Sequence, residues 1–264
     1  MEKKKGLSGS GLKSIAMVSM LIDHLAATVL LQLLQAPYDP SAGNALADWV
    51  WNHWQLLAKV YNTMRQIGRF AFPLYCFLLV EGFTHTRSVT KYALRLGLFA
   101  LLSEFPFDIA LNGKLFDPSY NNVFFTLLTG LVCLWAIRSV GTLCKEGKLP
   151  KFLGILLSCA AILAGFLLAE HVLVCDYAGQ GVLAIVVIWL LRRWPVPAFI
   201  AGTLVLSFGN AIKLYALFMV PPIALYNGQR GRAMKIGPYL FYPLHLLLLW
   251  LITMLLLKQP VALF

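Results

Sequence analysis

Long apolar segments alternate with short polar stretches over almost the whole chain. Nine such segments can be delimited, and they are Leu12–Leu34, Phe70–Val80, Tyr92–Leu111, Val123–Ile137, Phe152–Ala169, Gly181–Leu191, Val196–Phe208, Ala211–Tyr226 and Tyr239–Leu257. The first would form a helix of about 34 Å at 1.5 Å per residue, which is enough to cross a hydrocarbon core of about 30 Å. The pattern predicts an all-α fold, a polytopic transmembrane helical bundle of about nine spans.

The stretch from Val196 to Tyr226 would also fit one long helix. Both of its flanks are basic, with Arg192 and Arg193 before it and Arg230 after it. Because basic flanks tend to stay on the cytoplasmic side, the chain is expected to enter the membrane and return. We therefore predict a hairpin-like pair that turns at Gly209-Asn210, and the sequence leaves open whether it forms two short spans or a re-entrant hairpin.

Composition supports a membrane protein, since 59% of the residues are hydrophobic and only 12% are charged. The net charge of +11 does not indicate nucleic acid binding, because the cations form short clusters between the apolar segments, as the positive-inside rule describes. These clusters are Lys3/Lys4/Lys5/Lys13, Arg87/Lys91/Arg95, Arg138/Lys145/Lys148/Lys151, Arg192/Arg193 and Arg230/Arg232/Lys235. Their alternation with basic-poor loops predicts a cytoplasmic N-terminus and an outer C-terminus.

Residues 1–264 are expected to form a single integral domain in the cytoplasmic, or inner, membrane of the cell, with the lipid bilayer as a partner. The first apolar segment is too long and too interrupted for a signal peptide, so it is expected to be retained. The longer loop from about Gln35 to Gly68 contains Trp49, Trp51 and Trp54, as an interfacial segment would. The five cysteines have no metal-type spacing, so they are interpreted as small apolar residues and not as a zinc site.

Ionisable residues at membrane depth are the candidates for function. Asp23 and His24 lie in the middle of the first segment, where a charge costs several kcal/mol unless it faces a partner or water. Other residues of this kind are Glu81, His85, Arg95, Glu104, Asp108, Lys213 and His245. Glu104 and Asp108 are four residues apart on one helical face, so they require a cation or a shared proton, and Arg69, Arg95 or Lys213 would supply the cation.

Four short motifs carry a family resemblance: Gly11-Leu-Lys-Ser-Ile-Ala-Met-Val-Ser-Met-Leu-Ile-Asp23-His24, Gly68-Arg69-Phe70-Ala-Phe-Pro73, Glu81-Gly82-Phe83 and Tyr239-Leu-Phe-Tyr242-Pro243-Leu-His245. In these the chain resembles the TraX family of bacterial membrane acetyltransferases, whose namesake members acetylate the amino terminus of pilin. It is similar, more distantly, to membrane acyltransferases that modify surface polysaccharides. The resemblance covers nearly the whole chain and implies acetyl-CoA as the co-substrate, with a peptide amine, a glycan hydroxyl or a small molecule as the acceptor.

Under this resemblance, His24 would be the general base, because histidine titrates near neutral pH. Asp23, Glu81 or Glu104 would orient its ring, and the sequence does not choose among them. The acceptor or the thioester would contact Arg69, His245, Tyr242 and Asp108. Arg87, Lys91 and Arg95 would bind the phosphates of acetyl-CoA, which arrives from the cytosol, although their positions would also suit simple topology anchors.

Two other functions are consistent with the same residues. Carboxylates, histidines and broken helices at membrane depth also occur in proton-coupled secondary transporters of small polar solutes. A transporter of that kind is expected to show an internal repeat, and none is apparent in the sequence. A membrane scaffold without catalysis is the third alternative, and it predicts that the buried polar residues tolerate apolar replacements. Nothing resembles a nucleotide-hydrolysis loop or a zinc-protease motif.

Overall fold

A computed structural model describes residues 6–36, 45–232, 234 and 236–257 of the chain. The basic residues Lys3, Lys4, Lys5 and Lys235, which the topology prediction used, lie outside these ranges. The described part is helical, without a named strand, and five of its helical stretches are long and apolar enough to cross a membrane: Gly9–Gln35, Trp54–His85, Val123–Lys145, Lys151–Val172 and Gly237–Leu256. The predicted all-α polytopic bundle is therefore confirmed, and the protein is a multi-pass membrane protein.

The helices follow the apolar segments in order. They are α1 (Gly9–Gln35), α2 (Ala45–Asn52), α3 (Trp54–Gly68), α4 (Ala71–His85), α5 (Val89–Phe107), α6 (Val123–Lys145), α7 (Lys151–Leu167), α8 (Ala178–Leu190), α9 (Pro195–Ser207), α10 (Val220–Ala224) and α11 (Gly237–Leu257). A 3-10 helix, Ala211–Met219, leads into α10. Each of the nine predicted segments is largely helical, whereas α2 and α3 lie in the stretch that was predicted to be a loop.

Wider π-helical turns interrupt three of the long stretches. They are Ala26–Leu30 inside α1, Asp108–Asn112 after α5 and Leu168–Val172 after α7. The first begins two residues after His24, and the Thr28 hydroxyl donates a hydrogen bond of 2.6 Å to the His24 carbonyl oxygen. Turns of this type are frequent at functional sites, because they change the direction of side chains within a continuous helix.

The segment from 54 to 68 differs from the expected interfacial loop. It forms α3 and continues through a short turn at Arg69 and Phe70 into α4, so that Trp54–His85 is one stretch of 32 residues. Trp49, Trp51 and Trp54 are typical of an interfacial segment, and for that reason the sequence predicted a loop here. The helix instead brings Arg65 and Arg69 to α1, where both contact Asp23.

The hairpin predicted after Arg193 is present. Helix α9 ends at Ser207, and the chain reverses at Gly209, whose φ of 75° is in the left-handed region that favours glycine. The Asn210 side chain then accepts a hydrogen bond from the backbone N–H of Ile212 and caps the next helical turn. The single long helix is thereby excluded.

Helix α8 lies near the centre of the bundle, and small residues allow its neighbours to approach closely. A β-carbon at Gly130 of α6 would contact the Ile185 side chain, and one at Gly202 of α9 would overlap Ile188. Both isoleucines are fully buried. Close packing of helices over small residues is a main source of stability inside a membrane, where no hydrophobic effect operates between helices.

Candidate functional site

A histidine pair joins the first helix to the last. The Nδ1 atom of His24 in α1 lies 2.6 Å from the Nε2 atom of His245 in α11, and the two rings stack with centroids 4.9 Å apart. The other ring nitrogen of His245, Nδ1, lies 2.7 Å from the Phe241 carbonyl oxygen. Two residues that are 221 positions apart in the sequence therefore form one hydrogen-bonded chain.

The direction of this chain assigns the protons of both rings when they are neutral. A carbonyl oxygen only accepts hydrogen bonds, so His245 Nδ1 carries its proton and its Nε2 is an acceptor. His24 Nδ1 must then be the donor in the bond between the rings. The lone pair of neutral His24 is consequently on Nε2, which leaves this atom free to act as a base.

Aromatic rings surround the pair and hold its orientation. The Phe241 ring stacks on the opposite side of His245 with centroids 4.8 Å apart. Tyr242 meets both imidazoles edge-on, with centroids 5.8 Å from His24 and 5.7 Å from His245, and it is only 3% exposed. His24 itself is partly exposed.

Asp23 is bound by two guanidinium groups and not by His24. Arg65 Nη1 donates to Asp23 Oδ2 and Arg69 Nη2 donates to Asp23 Oδ1, each at 2.8 Å. Arg69 Nε also donates to the Arg65 carbonyl oxygen at 3.0 Å. Gly68 is required beside them, because a β-carbon there would overlap the Asp23 carboxylate. Two cations against one carboxylate leave a net positive charge next to His24.

A second polar group packs against Arg69 from the loop before α8. Asp176 accepts a hydrogen bond of 3.0 Å from the Tyr120 hydroxyl, and its carboxylate interacts electrostatically with Arg69. Burial raises the pKa of Asp176, while the Tyr120 hydrogen bond and the Arg69 charge oppose that shift. Tyr177 has a φ of 64°, a costly conformation for a residue other than glycine, and its ring stacks 3.7 Å from that of Phe72.

Sequence reasoning did not select Arg65, Asp176 or Tyr177 as site residues. Arg65 is four residues before Arg69, so both belong to one helical face, and this spacing was the available signal. Asp176 and Tyr177 lie in a short stretch directly before α8. Their proximity to Arg69 depends on the tertiary fold, and no local pattern indicates it.

The two carboxylates near the end of α5 have structural partners. Glu104 Oε1 accepts hydrogen bonds from the backbone and the side-chain amide of Asn122, at 2.9 and 2.5 Å, and Asn122 caps α6. Asp108 accepts from the Asn112 side chain at 3.1 Å and from the Asp117 backbone N–H at 2.8 Å. The structure thus places both in loop and helix-cap contacts, and neither forms a hydrogen bond with His24.

Glu81 lines a polar cavity of about 370 Å³, and neither His24 nor His245 is part of its wall. Glu81 accepts a hydrogen bond of 2.9 Å from the Tyr226 hydroxyl, and His85 is also at the cavity wall. The cavity contains three cationic side chains, those of Lys13, Arg95 and Arg230. Of the predicted basic stripe only Arg95 lines it, whereas Arg87 and Lys91 are exposed elsewhere.

An apolar slot of about 90 Å³ adjoins this polar cavity. The two share four lining residues, Lys13, Leu78, Tyr92 and Tyr239. The slot ends at Tyr242, whose ring contacts His24 and His245. The cationic cavity and the apolar slot therefore adjoin, and Tyr242 in the wall of the slot contacts both histidines.

Within the described residues, no group of three or more His, Cys, Asp or Glu side chains is arranged to hold a metal ion. The described cysteines are all free thiols.

Comparison with known proteins places this arrangement in context. A family model described as "TraX protein" matches residues 8–253. The chain is also similar to the probable fimbrial assembly protein FimC, serogroup H1, of Dichelobacter nodosus, with 26% identity over 94% of this chain and 97% of that protein. No solved structure matches the chain.

Proposed function

Because the chain belongs to the TraX protein family, we propose that it is an integral membrane acetyltransferase that moves an acetyl group from acetyl-CoA to an amine or hydroxyl acceptor. The observation that carries this proposal is the histidine pair, which contacts Tyr242 in the wall of the apolar slot. The neutral pair has its unprotonated nitrogen at His24 Nε2, and the slot adjoins a cationic cavity.

The shape and charge of the two cavities suit a coenzyme A thioester. Its phosphates would bind Lys13, Arg95 and Arg230 in the polar cavity, since cations bind phosphate through charge-assisted hydrogen bonds. Its pantetheine arm would lie in the apolar slot and bring the thioester towards Tyr242 and His24. The positive-inside rule puts this basic mouth on the cytoplasmic side, and this supports an inner-membrane enzyme that uses a cytosolic donor.

The reaction follows from the groups present. His24 Nε2 removes a proton from the acceptor amine or hydroxyl while the acceptor nitrogen or oxygen forms a bond to the thioester carbonyl carbon. The carbonyl oxygen becomes an oxyanion, and the guanidinium groups of Arg65 and Arg69 stabilise it. The carbon–sulfur bond then breaks, and the coenzyme A thiolate takes the proton from His24.

A protein acceptor is supported by the similar fimbrial assembly protein. We infer that the acceptor is the amino terminus of a membrane-delivered subunit such as a pilin, with a surface glycan as the alternative hydroxyl acceptor. Asp176 beside Arg69 offers a carboxylate for an approaching ammonium group. An ammonium acceptor must lose one proton to the solvent before attack, and His24 then takes a second proton while the new bond to carbon forms.

Donor binding tests the proposal directly. We expect Arg95→Gln to weaken acetyl-CoA binding by about tenfold, because it removes one charge-assisted contact worth roughly 1.5 to 3 kcal/mol. Arg87→Gln is the matched control, since it removes the same charge from a cation outside the cavity. Calorimetry with the purified protein measures both. No binding of acetyl-CoA to the wild type at millimolar concentration would contradict the acetyltransferase and favour the transporter.

Tyr75 supplies an independent test of the slot. Its hydroxyl is buried and has no hydrogen-bond partner among the described residues, although it lines the slot where the pantetheine amides would lie. We expect Tyr75→Phe to raise the KM for acetyl-CoA by about three- to tenfold, because the variant loses one hydrogen bond to the donor and that bond contributes about this much to binding. The same change should not lower stability without ligand, because it removes an unsatisfied polar group. A lower unfolding midpoint with an unchanged KM would contradict a donor contact at Tyr75.

A further inference from the structure

We propose that the groove between α4, α6, α7 and α8 binds an anionic phospholipid of the cytoplasmic leaflet, with a two-phosphate lipid of the cardiolipin class as its best ligand. This inference is independent of the acetyltransferase proposal, since it concerns another face of the bundle. The groove has a volume of about 810 Å³, and it is separate from the histidine pair and from the cationic cavity.

Charge is the first reason for this assignment. Four cations line the groove: Arg138, Lys145, Lys151 and Arg192. None of them forms a salt bridge within the described part of the chain, whereas the adjacent Lys148, which is outside the groove, pairs with Glu146 at 2.8 Å. Four cations without an acidic partner exceed the charge of one phosphate and can place two cations on each phosphate of a two-phosphate headgroup. Basic pockets between helices on the cytoplasmic side are known to bind such headgroups.

The two arginines are held in place by protein groups that leave donors for a phosphate. Arg138 lies over the Phe83 ring, 4.1 Å from its centroid, and Arg192 lies over the Trp189 ring at 4.5 Å. Arg192 Nη1 also donates to the Trp189 carbonyl oxygen at 2.7 Å. Guanidinium groups stacked on aromatic rings are preorganised, so they lose less side-chain entropy when they bind an anion.

The walls of the groove suit acyl chains. Ile137, Val140 and Ile155 line it, and the adjacent Phe152 is 78% exposed. Helix α7 packs against α6 and α8 and presents most of its apolar side chains outward, towards the bilayer. A lipid can therefore keep its tails in the hydrocarbon core while its phosphates contact the cations at the end of the helices. A soluble phosphate would leave those apolar walls uncovered.

The test compares lipids of matched acyl chains on the purified full-length protein in detergent. Native mass spectrometry should show cardiolipin binding more tightly than phosphatidylglycerol, and phosphatidylglycerol more tightly than phosphatidylcholine. Inorganic phosphate should not compete at millimolar concentration. Equal binding of phosphatidylcholine would overturn the proposal, and competition by inorganic phosphate would reassign the groove to a soluble anion.

Matched variants separate a built site from simple charge attraction. Arg192→Gln and Arg138→Gln should each weaken cardiolipin binding by about fivefold, the effect of one cation near a membrane surface. Arg193→Gln removes the same charge one residue away but outside the groove, so it should have little effect. Equal losses in Arg192→Gln and Arg193→Gln would show that the cations act only as topology anchors.

A steric variant tests the same site without a change in charge. Gly141 lines the groove, and a β-carbon there would meet no atom within 4 Å, so the fold should tolerate a larger side chain. Gly141→Phe should fill the groove and reduce cardiolipin binding, while Gly141→Ala should not. A thermal unfolding midpoint equal to that of the wild type verifies the fold, and unchanged lipid binding by Gly141→Phe would overturn the proposal.

Discussion

Replacing His24 with glutamine is expected to abolish acetyl transfer while the protein remains folded and inserted. Glutamine keeps a polar side chain that can bond to His245 Nε2, but it cannot accept a proton at neutral pH. The loss should be about 10²- to 10⁴-fold in kcat, the usual contribution of a general base. The measurement is acetyl-CoA-dependent release of coenzyme A in the presence of an amine-terminated peptide, with donor binding measured in parallel by calorimetry.

The control for this experiment is His245, which acts through His24 and is a positioning residue. His245→Gln should lower kcat less than His24→Gln does and should leave the KM for acetyl-CoA unchanged. Added imidazole should restore part of the activity to His24→Ala, because it can occupy the vacated space and accept the proton. Normal turnover by His24→Gln would exclude His24 as the base, and equal losses without imidazole rescue would indicate a structural role for the pair.

The sequence was sufficient to select the two histidines as candidates, but it did not predict their contact. Each is an ionisable residue within an apolar segment, and this alone marked His24 and His245 as functional candidates. Their direct bond could not be predicted, because it depends on how α1 and α11 cross. The proton assignment requires one more fact from the fold, which is that His245 Nδ1 faces the Phe241 carbonyl oxygen.

For the two carboxylates near the end of α5, the sequence predicted the position but could not decide the role. The spacing of Glu104 and Asp108 correctly indicated one helical face near the end of a span, but the same pattern suits a catalytic pair and a pair of loop anchors. Their partners, Asn122 and Asp117, come from the segment that folds back after α5. A sequence pattern on one helix does not contain that information, so the choice required the structure.

The predicted basic stripe is not one continuous helical face. Arg87, Lys91 and Arg95 are spaced by four, which would align them on one helix face. Helix α5 begins only at Val89, after the N-cap Ser88, so Arg87 does not belong to the helix. Lys13 and Arg230 meet Arg95 instead, because the backbone of the residues around Ser10 is bonded to that of Arg230.

The second large effect is expected at Asp23. Asp23→Asn would leave Arg65 and Arg69 without their carboxylate in a mostly buried position, since their side chains are 29% and 14% exposed. Removing one partner of such a pair costs about 3–5 kcal/mol, because a charge remains buried and uncompensated. Equilibrium unfolding in mixed detergent micelles should show this loss in the free energy of unfolding, and acetyl transfer should fall with it.

Two further variants separate the charge of this cluster from its geometry. Gly68→Ala alters no charge but would place a methyl group where the Asp23 carboxylate lies, so it should also destabilise the protein, whereas Gly141→Ala, in open space, should not.

The combined variant Asp23→Asn, Arg65→Gln and Arg69→Gln removes all three charges and should recover part of the stability that Asp23→Asn loses. It should not recover activity, because the positive charge that stabilises the oxyanion is gone. A triple variant no more stable than Asp23→Asn would show that the arginines carry no penalty when unpaired, and one that regains full turnover would remove them from the mechanism.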